Sequence, residues 1–166
     1  ASKYELKDVK GNLQLTVLDF SGQVVSQINE DVTVSANTST EIFQTKRSKS
    51  LNKIEPNKHV LKVELLNETK TSVLAENVFY FVKPKFLELQ VPSIKTDIIY
   101  KEEKKYLEIT SDKLVKDLYI NFKNQKVFLS DNYFDLLPNQ TKTVELTSDI
   151  NMNLESLELK HLNTIK

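Results

Sequence analysis

Two carboxylates that work as an acid and a nucleophile must lie about 5–5.5 Å apart. The chain has 23 acidic side chains from which such a pair could come. Asp131 and Asp135 flank Tyr133 and share strand parity, but strand rise separates them by about 13 Å, which is too far. Glu102 and Glu103 are adjacent, so on a strand they would point to opposite faces. The two histidines, His59 and His161, stand far apart in sequence, and a metal centre needs three or four ligands of cooperating spacing. No serine sits in a Gly-x-Ser-x-Gly elbow. With only Gly11 and Gly22 in the chain, no glycine-rich phosphate loop can form. The residues thus assign no catalytic, cofactor-binding or metal-binding position, and the acids read as solvated or turn-capping groups.

Two weaker signals complete that inventory. Asn37-Thr38-Ser39, Asn67-Glu68-Thr69 and Asn139-Gln140-Thr141 match the N-glycosylation pattern, which is expected by chance in a chain with 14 asparagines. A sugar-binding platform would need exposed aromatic faces. The chain has no tryptophan, and Tyr4, Tyr100, Tyr106, Tyr119 and Tyr133 at strand positions more often pack in cores or along edges.

Composition limits the classes that remain. The 23 basic and 23 acidic side chains cancel, so there is no basic field for a phosphate backbone and no nucleic-acid partner is expected. No run of about 18 apolar residues occurs, so no membrane-spanning helix is expected. The absence of cysteine excludes a disulfide framework and thiolate metal sites. Ala1-Ser2-Lys3 opens on polar residues with no visible signal peptide, as in a piece cut from a longer chain. With glycine so scarce, many of the asparagines are expected to serve as turn residues, because Asn tolerates the left-handed conformation.

The elements that would position these groups read as strands, because period-two alternation dominates. Leu13, Leu15 and Val17 mark the first. Asp19 to Gly22 is a turn with Gly22 placed for a positive φ, and Val24 to Ile28 runs back as a hairpin partner. Val32 and Val34 open another short strand, and Glu41 to Gln44 is a further candidate. Leu61, Val63 and Leu65 alternate. Val78-Phe79-Tyr80-Phe81-Val82 is apolar on both faces, as in a strand covered on both sides or at a domain junction. Pro84 ends that run. Ile94 to Tyr100, Leu107 with Ile109, and Leu118-Ile120-Phe122 follow, with Lys101 to Lys105 as a solvated hairpin tip. Leu107, Leu114, Val115 and Leu118 also fit a helical face, with Ser111 or Asp112 as N-cap, although the β-branched and aromatic neighbours favour strands. Val127 to Leu129, Val144 with Leu146, and Leu157 with Leu159 complete the series. Ser130 to Val144 reads as a β-hairpin closed by a Pro-Asn turn, with Phe134 and Leu136 buried on one face.

Two groups of short strands joined near Lys83 to Lys85 predict an all-β chain. It would hold two Ig-like antiparallel β-sandwich domains in tandem, 1–85 and 86–166. Domains of this size bury only about 60–65% of their unfolded surface, so each is expected to lean on the other or on a larger body.

Ser130-Asp131-Asn132-Tyr133-Phe134-Asp135-Leu136-Leu137-Pro138 and Thr141-Lys142-Thr143-Val144 resemble the terminal Ig-like domain of β-mannosidases, within family-two glycoside hydrolases. Asn139-Gln140 stands where that pattern has Gly-Glu. Phe81 to Leu89 resembles the family's link between its last two sandwiches, and Leu18 to Gly22 a hairpin in the preceding domain. The resemblance implies the non-catalytic C-terminal modules of a retaining β-mannosidase-like enzyme. Its (β/α)₈ barrel, with two catalytic glutamates, would lie outside residues 1–166. The first strand would be lost or replaced by Lys3 to Lys7. The implied partners are that barrel and, only through the parent, a terminal β-mannoside; oligomerisation is compatible with it. The compartment is not fixed by the chain, and a periplasmic or secreted parent is the expectation. Another family-two glycosidase such as a β-galactosidase, or a surface-adhesion Ig-like module without an enzyme, are the alternatives.

Overall fold

A computed structural model describes residues 8–36, 38–39, 41–44, 54–148 and 154–164. The strands are β1 (Val9–Asp19), β2 (Val24–Val34), β3 (His59–Asn67), β4 (Val73–Tyr80), β5 (Ile94–Lys101), β6 (Lys104–Ser111), β7 (Val115–Phe122), β8 (Phe128–Leu129), β9 (Phe134–Leu136), β10 (Thr141–Thr147) and β11 (Leu157–Lys160). Single-turn 3-10 helices lie at Pro84–Phe86, Leu154–Ser156 and Leu162–Thr164. The chain divides into two compact units, one of residues 1–19 and 23–87, the other of 20–22 and 88–166.

Among the described residues, the first unit carries one antiparallel sheet in the order β2-β1-β3-β4. Its register places Leu13, Leu15 and Val17 opposite Leu65, Val63 and Leu61, so alternation builds one apolar face. Gly22 turns β1 into β2 at φ +88, where a side chain is strained. β2 continues unbroken through Val32 and Val34, so these residues extend the first hairpin and do not open a new strand. Glu41 to Gln44 is not a strand. The expected strand of residues 3–7 lies outside the described residues. β4 is an edge strand whose residues are mostly exposed, Phe79 at 56%. The Val78–Val82 run is therefore not covered on both faces within this unit. Phe79 instead packs edge-on against Phe81, ring centroids 5.6 Å apart.

The second unit is a sandwich of two antiparallel sheets, β5-β6-β10-β8 and β11-β7-β9. Leu107 and Ile109 of β6 and Val144 and Leu146 of β10 face Val115, Leu118, Ile120 and Phe122 of β7 and Leu136 of β9 across one buried core. Each such side chain contributes roughly 1.5–3 kcal/mol by leaving water. Val115 and Leu118 are both buried although they differ in parity. A β-bulge resolves this: the register shifts between them, and Asp117 takes φ +53, adding the residue that returns Leu118 to the inside. The same three-residue spacing is what makes 107–118 resemble a helical face; the segment is strand, turn and bulged strand.

The hairpin reading of Ser130 to Val144 is corrected. β9 pairs with β7, whereas β10 pairs with β6 and β8. The two strands are not hydrogen-bonded neighbours, and Leu137 to Gln140 is an arch that carries the chain from one sheet to the other. Asn139 takes φ +59 in that arch, the conformation for which Asn best replaces Gly. Asn57 and Asn124 also lie in turns, but asparagine does not fill most of the positive-φ positions. Of the seven non-glycine residues with positive φ among those described, only Asn124 and Asn139 are asparagines, beside Lys70, Glu102, Glu103, Asp117 and Tyr133.

Candidate functional site

The segment from Ser130 to Asp135 is built as a staple between the two sheets of the second unit. At its start, the Ser130 N–H donates to the Glu145 carbonyl at 3.0 Å, and the Ser130 hydroxyl accepts from the Glu145 N–H at 2.9 Å. Asp131 reaches Lys142 of the same strand, β10, at 2.6 Å. One residue later the chain has changed sheets. Asn132 Oδ1 accepts from the Ile120 N–H at 2.8 Å, and its Nδ2 donates to the Ile120 carbonyl at 2.9 Å. Its side-chain amide thus makes the two bonds that a strand residue's backbone would make to β7.

Asn132 Oδ1 also accepts from the Tyr133 N–H at 3.0 Å. Tyr133 is held at φ +59, a region that bulky side chains rarely enter. The backbone twist throws its ring outward, where it is 69% exposed. There it stacks on Tyr119 of β7, centroids 4.8 Å apart and planes inclined by 29°.

Asp135 closes the staple. Its Oδ1 accepts from the Asp117 N–H at the bulge at 2.9 Å and from Lys116 Nζ at 3.0 Å, and Lys116 also pairs with Asp117. Burial pulls the Lys116 pKa down, but the hydrogen bonds and charges of Asp117 and Asp135 outweigh it and hold the ammonium above its ordinary value. Phe134, expected to be buried, is only half-buried, with Lys142 Nζ 4.9 Å above its ring. Leu136, on the same face, is buried as expected.

The structure does not bring the other candidate groups into a working cluster. Asp131 and Asp135 engage different lysines on different sheets. Glu102 and Glu103 form the β5–β6 turn, both with positive φ. His59 is buried in the first unit, its Nδ1 3.1 Å from the Glu55 amide nitrogen and 2.9 Å from the Glu55 carbonyl oxygen. His161 is buried in the second unit. Burial lowers its pKa, partly opposed by a hydrogen bond with Asn163. Among the described residues, no group of three His, Cys, Asp or Glu side chains is placed to hold a metal ion.

Among the asparagines of the glycosylation patterns, Asn67 accepts from the Thr71 and Ser72 N–H groups in its own turn. Asn139 donates its N–H to the Ser111 carbonyl. Asn37 and Tyr4 lie outside the described residues. Tyr100 is exposed on β5, with Lys105 Nζ 5.9 Å from its ring, and Tyr106 is half-buried on β6. A cleft of about 320 Å³ lies beside Lys10, Asp31 and Glu68 in the first unit, and one of about 370 Å³ beside Lys95, Asp112 and Asn139 in the second. Neither is lined by an aromatic side chain. Sequence reading did not find the surrogate pairing by Asn132 or the bulge at Asp117. The one available signal was residue type, an Asn and an Asp that bond readily to nearby backbone, Asn132 in the loop before β9 and Asp117 within β7.

Comparison with known proteins fits this architecture. Residues 1–85 match the family model of the mannosidase Ig/CBM-like domain, and residues 89–165 match a mannosidase Ig-fold domain. Among solved structures the chain is similar to the β-D-mannosidase of Dictyoglomus thermophilum. The TM-score is 0.70 at 20% identity, over 94% of this chain and 19% of that one. At that identity the likeness speaks for the fold. No curated protein sequence matches. Both units are thus Ig-like β modules in tandem, and the chain belongs to the mannosidase Ig/CBM-like domain family.

Proposed function

We propose that residues 1–166 are non-catalytic modules of a longer, β-mannosidase-like retaining glycoside hydrolase of family two, and that they support a separate barrel carrying its two glutamates. The observation that carries this reading is the order of the two matches, a mannosidase Ig/CBM-like domain followed directly by a mannosidase Ig-fold domain. The span of the likeness supports it: nearly all of this chain corresponds to 19% of a β-D-mannosidase. So do the carboxylates of the Ser130–Asp135 segment, which are engaged by Lys116 and Lys142 in ion pairs that organise strands. The alternative of a β-galactosidase parent draws no observation of its own.

The test is to express the gene product that carries this segment, whole and with the segment deleted, beside the 166-residue chain alone. The whole product is expected to cleave an aryl β-mannoside, and the isolated chain to stay at the buffer blank. Cleavage by the isolated chain, lost on removing one of its carboxylates, overturns the non-catalytic role. Cleavage of an aryl β-galactoside in place of the mannoside overturns the assigned parent, and a whole product without glycosidase activity overturns the reading altogether.

A further inference from the structure

The stacked pair of Tyr133 and Tyr119 has no part in the core of the second unit. Tyr133 is 69% exposed and gives one ring face to Tyr119, which leaves the opposite face to solvent. The ring is not placed there by default. A tyrosine at φ +59 occupies a conformation normally left to Gly, Asn or Asp. It is kept there by Asn132, which takes the Tyr133 N–H while bonding both polar groups of Ile120. Backbone strain of this kind concentrates at binding and switching sites. Tyr119 below it fixes the ring's plane, so little freedom remains to be lost when a ligand settles on it.

The chemistry around the pair points to one class of ligand. Strand register puts Lys160 opposite Tyr119 and Glu158 opposite Asn121, all on the same outer face of the sheet. Asn121 Nδ2 donates to Glu158 at 3.3 Å, and Lys123 reaches the same carboxylate at 3.0 Å. The face therefore offers an aromatic plane flanked by amide, carboxylate and ammonium groups of both signs. A polyanion would meet Glu158 as well as the lysines, and a purely apolar ligand would strand these polar groups. A neutral pyranose satisfies both halves. Its C–H face carries partial positive charge toward the electron-rich ring face, and its hydroxyls exchange hydrogen bonds with the flanking side chains.

We propose that Tyr133, backed by Tyr119, is a binding platform for a neutral sugar ring of an oligosaccharide on the outer face of the β11-β7-β9 sheet. The platform goes beyond the supporting role proposed above and stands without it, because it requires no barrel.

The test uses the 166-residue chain, whose six tyrosines and lack of tryptophan make tyrosine fluorescence a direct reporter. β-1,4-Mannohexaose, cellohexaose and xylohexaose are titrated up to about 10 mM, with calorimetry in parallel. Saturable binding of at least one is expected. Tyr133→Gly removes the ring while relieving the positive φ, so the variant stays folded; its affinity is expected to fall by about tenfold or more. Tyr133→Phe, which keeps the ring, should stay within about twofold. No saturable binding by the unmodified chain overturns the proposal, as does unchanged affinity in Tyr133→Gly. If the pair instead seats a protein surface, sedimentation will show Tyr133-dependent self-association with no response to any of the three sugars, which overturns it as well.

Discussion

Replacing Asn132 by Ala removes three hydrogen bonds at once: two to Ile120 and one to the Tyr133 N–H. Each contributes about 0.5–1.5 kcal/mol net, and a strand N–H or C=O left unpaired away from water costs more than the mean. The sum is roughly 3 kcal/mol. For a unit of this size each kcal/mol lowers Tm by about 4–8 °C, so the loss is on the order of 12–24 °C, a large share of the stability of a small domain. Urea unfolding followed by far-ultraviolet circular dichroism measures it directly. Asn132→Asp separates the mechanism from simple loss of packing. The introduced carboxylate still accepts from both N–H groups but turns an oxygen toward the Ile120 carbonyl, so at neutral pH it should be nearly as damaging as Ala. Protonation restores a donor, which raises the folded-state pKa of the introduced carboxyl group above the unfolded value of about 3.9. The recovered stability is then fully present below that value and is lost as pH rises through the folded-state pKa. The deficit relative to the parent chain should therefore narrow on acidification. Loss of less than about 0.5 kcal/mol in Asn132→Ala, within the range of ordinary surface changes, would refute the surrogate-strand account. A pH-independent deficit in Asn132→Asp would refute the donor role of Nδ2.

Three further outcomes are expected. Leu136→Ala should cost about 2–5 kcal/mol because Leu136 is 2% exposed, whereas Phe134→Ala should cost less, its half-exposed ring resting partly on Lys142; equal losses in chemical denaturation would contradict the packing. Glu103→Gly should stabilise by about 1 kcal/mol, since Glu103 sits at φ +63 in the β5–β6 turn, and a lowered Tm would count against relief of strain. Burial holds His161 below its usual pKa of 6.5 despite the Asn163 hydrogen bond. Its contribution is therefore complete above about pH 6.5 and is lost as pH falls through the folded-state value. His161→Gln should accordingly flatten the stability profile between about pH 7 and 5, and an unchanged profile would count against the buried neutral ring.

Alternation alone located most of the strands of this chain. Leu13, Leu15 and Val17, Leu61 to Leu65, Leu107 with Ile109, and Leu118 to Phe122 each lie in a strand. Gly22 and Asn139 marked positive-φ turns. The Ser130–Val144 pattern also pointed to the mannosidase Ig-like family, because a motif of residue types survives without knowledge of its contacts. The candidate site was legible only as a motif. Tyr119 and Tyr133 are well separated in sequence, and nothing in their spacing announces a stack.

What the tertiary structure alone decided is partnership. A period of two says which side chains share a face, but hydrogen-bond partners are set by which strands meet, and the period is the same whether a neighbour follows by a hairpin or by an arch. Hence β9 and β10 read as one hairpin and prove to belong to two sheets. Phe79, apolar on an edge strand, proves exposed. The bulge at Asp117 breaks parity and leaves only a three-residue spacing that fits a helix as well, since the extra residue is accommodated by backbone dihedrals and by Asp135, 18 positions away. Asn132 could replace a strand residue only once Ile120 stood beside it, and Tyr133 turned outward for the same reason: pairing across the fold, and not local preference, dictates its backbone.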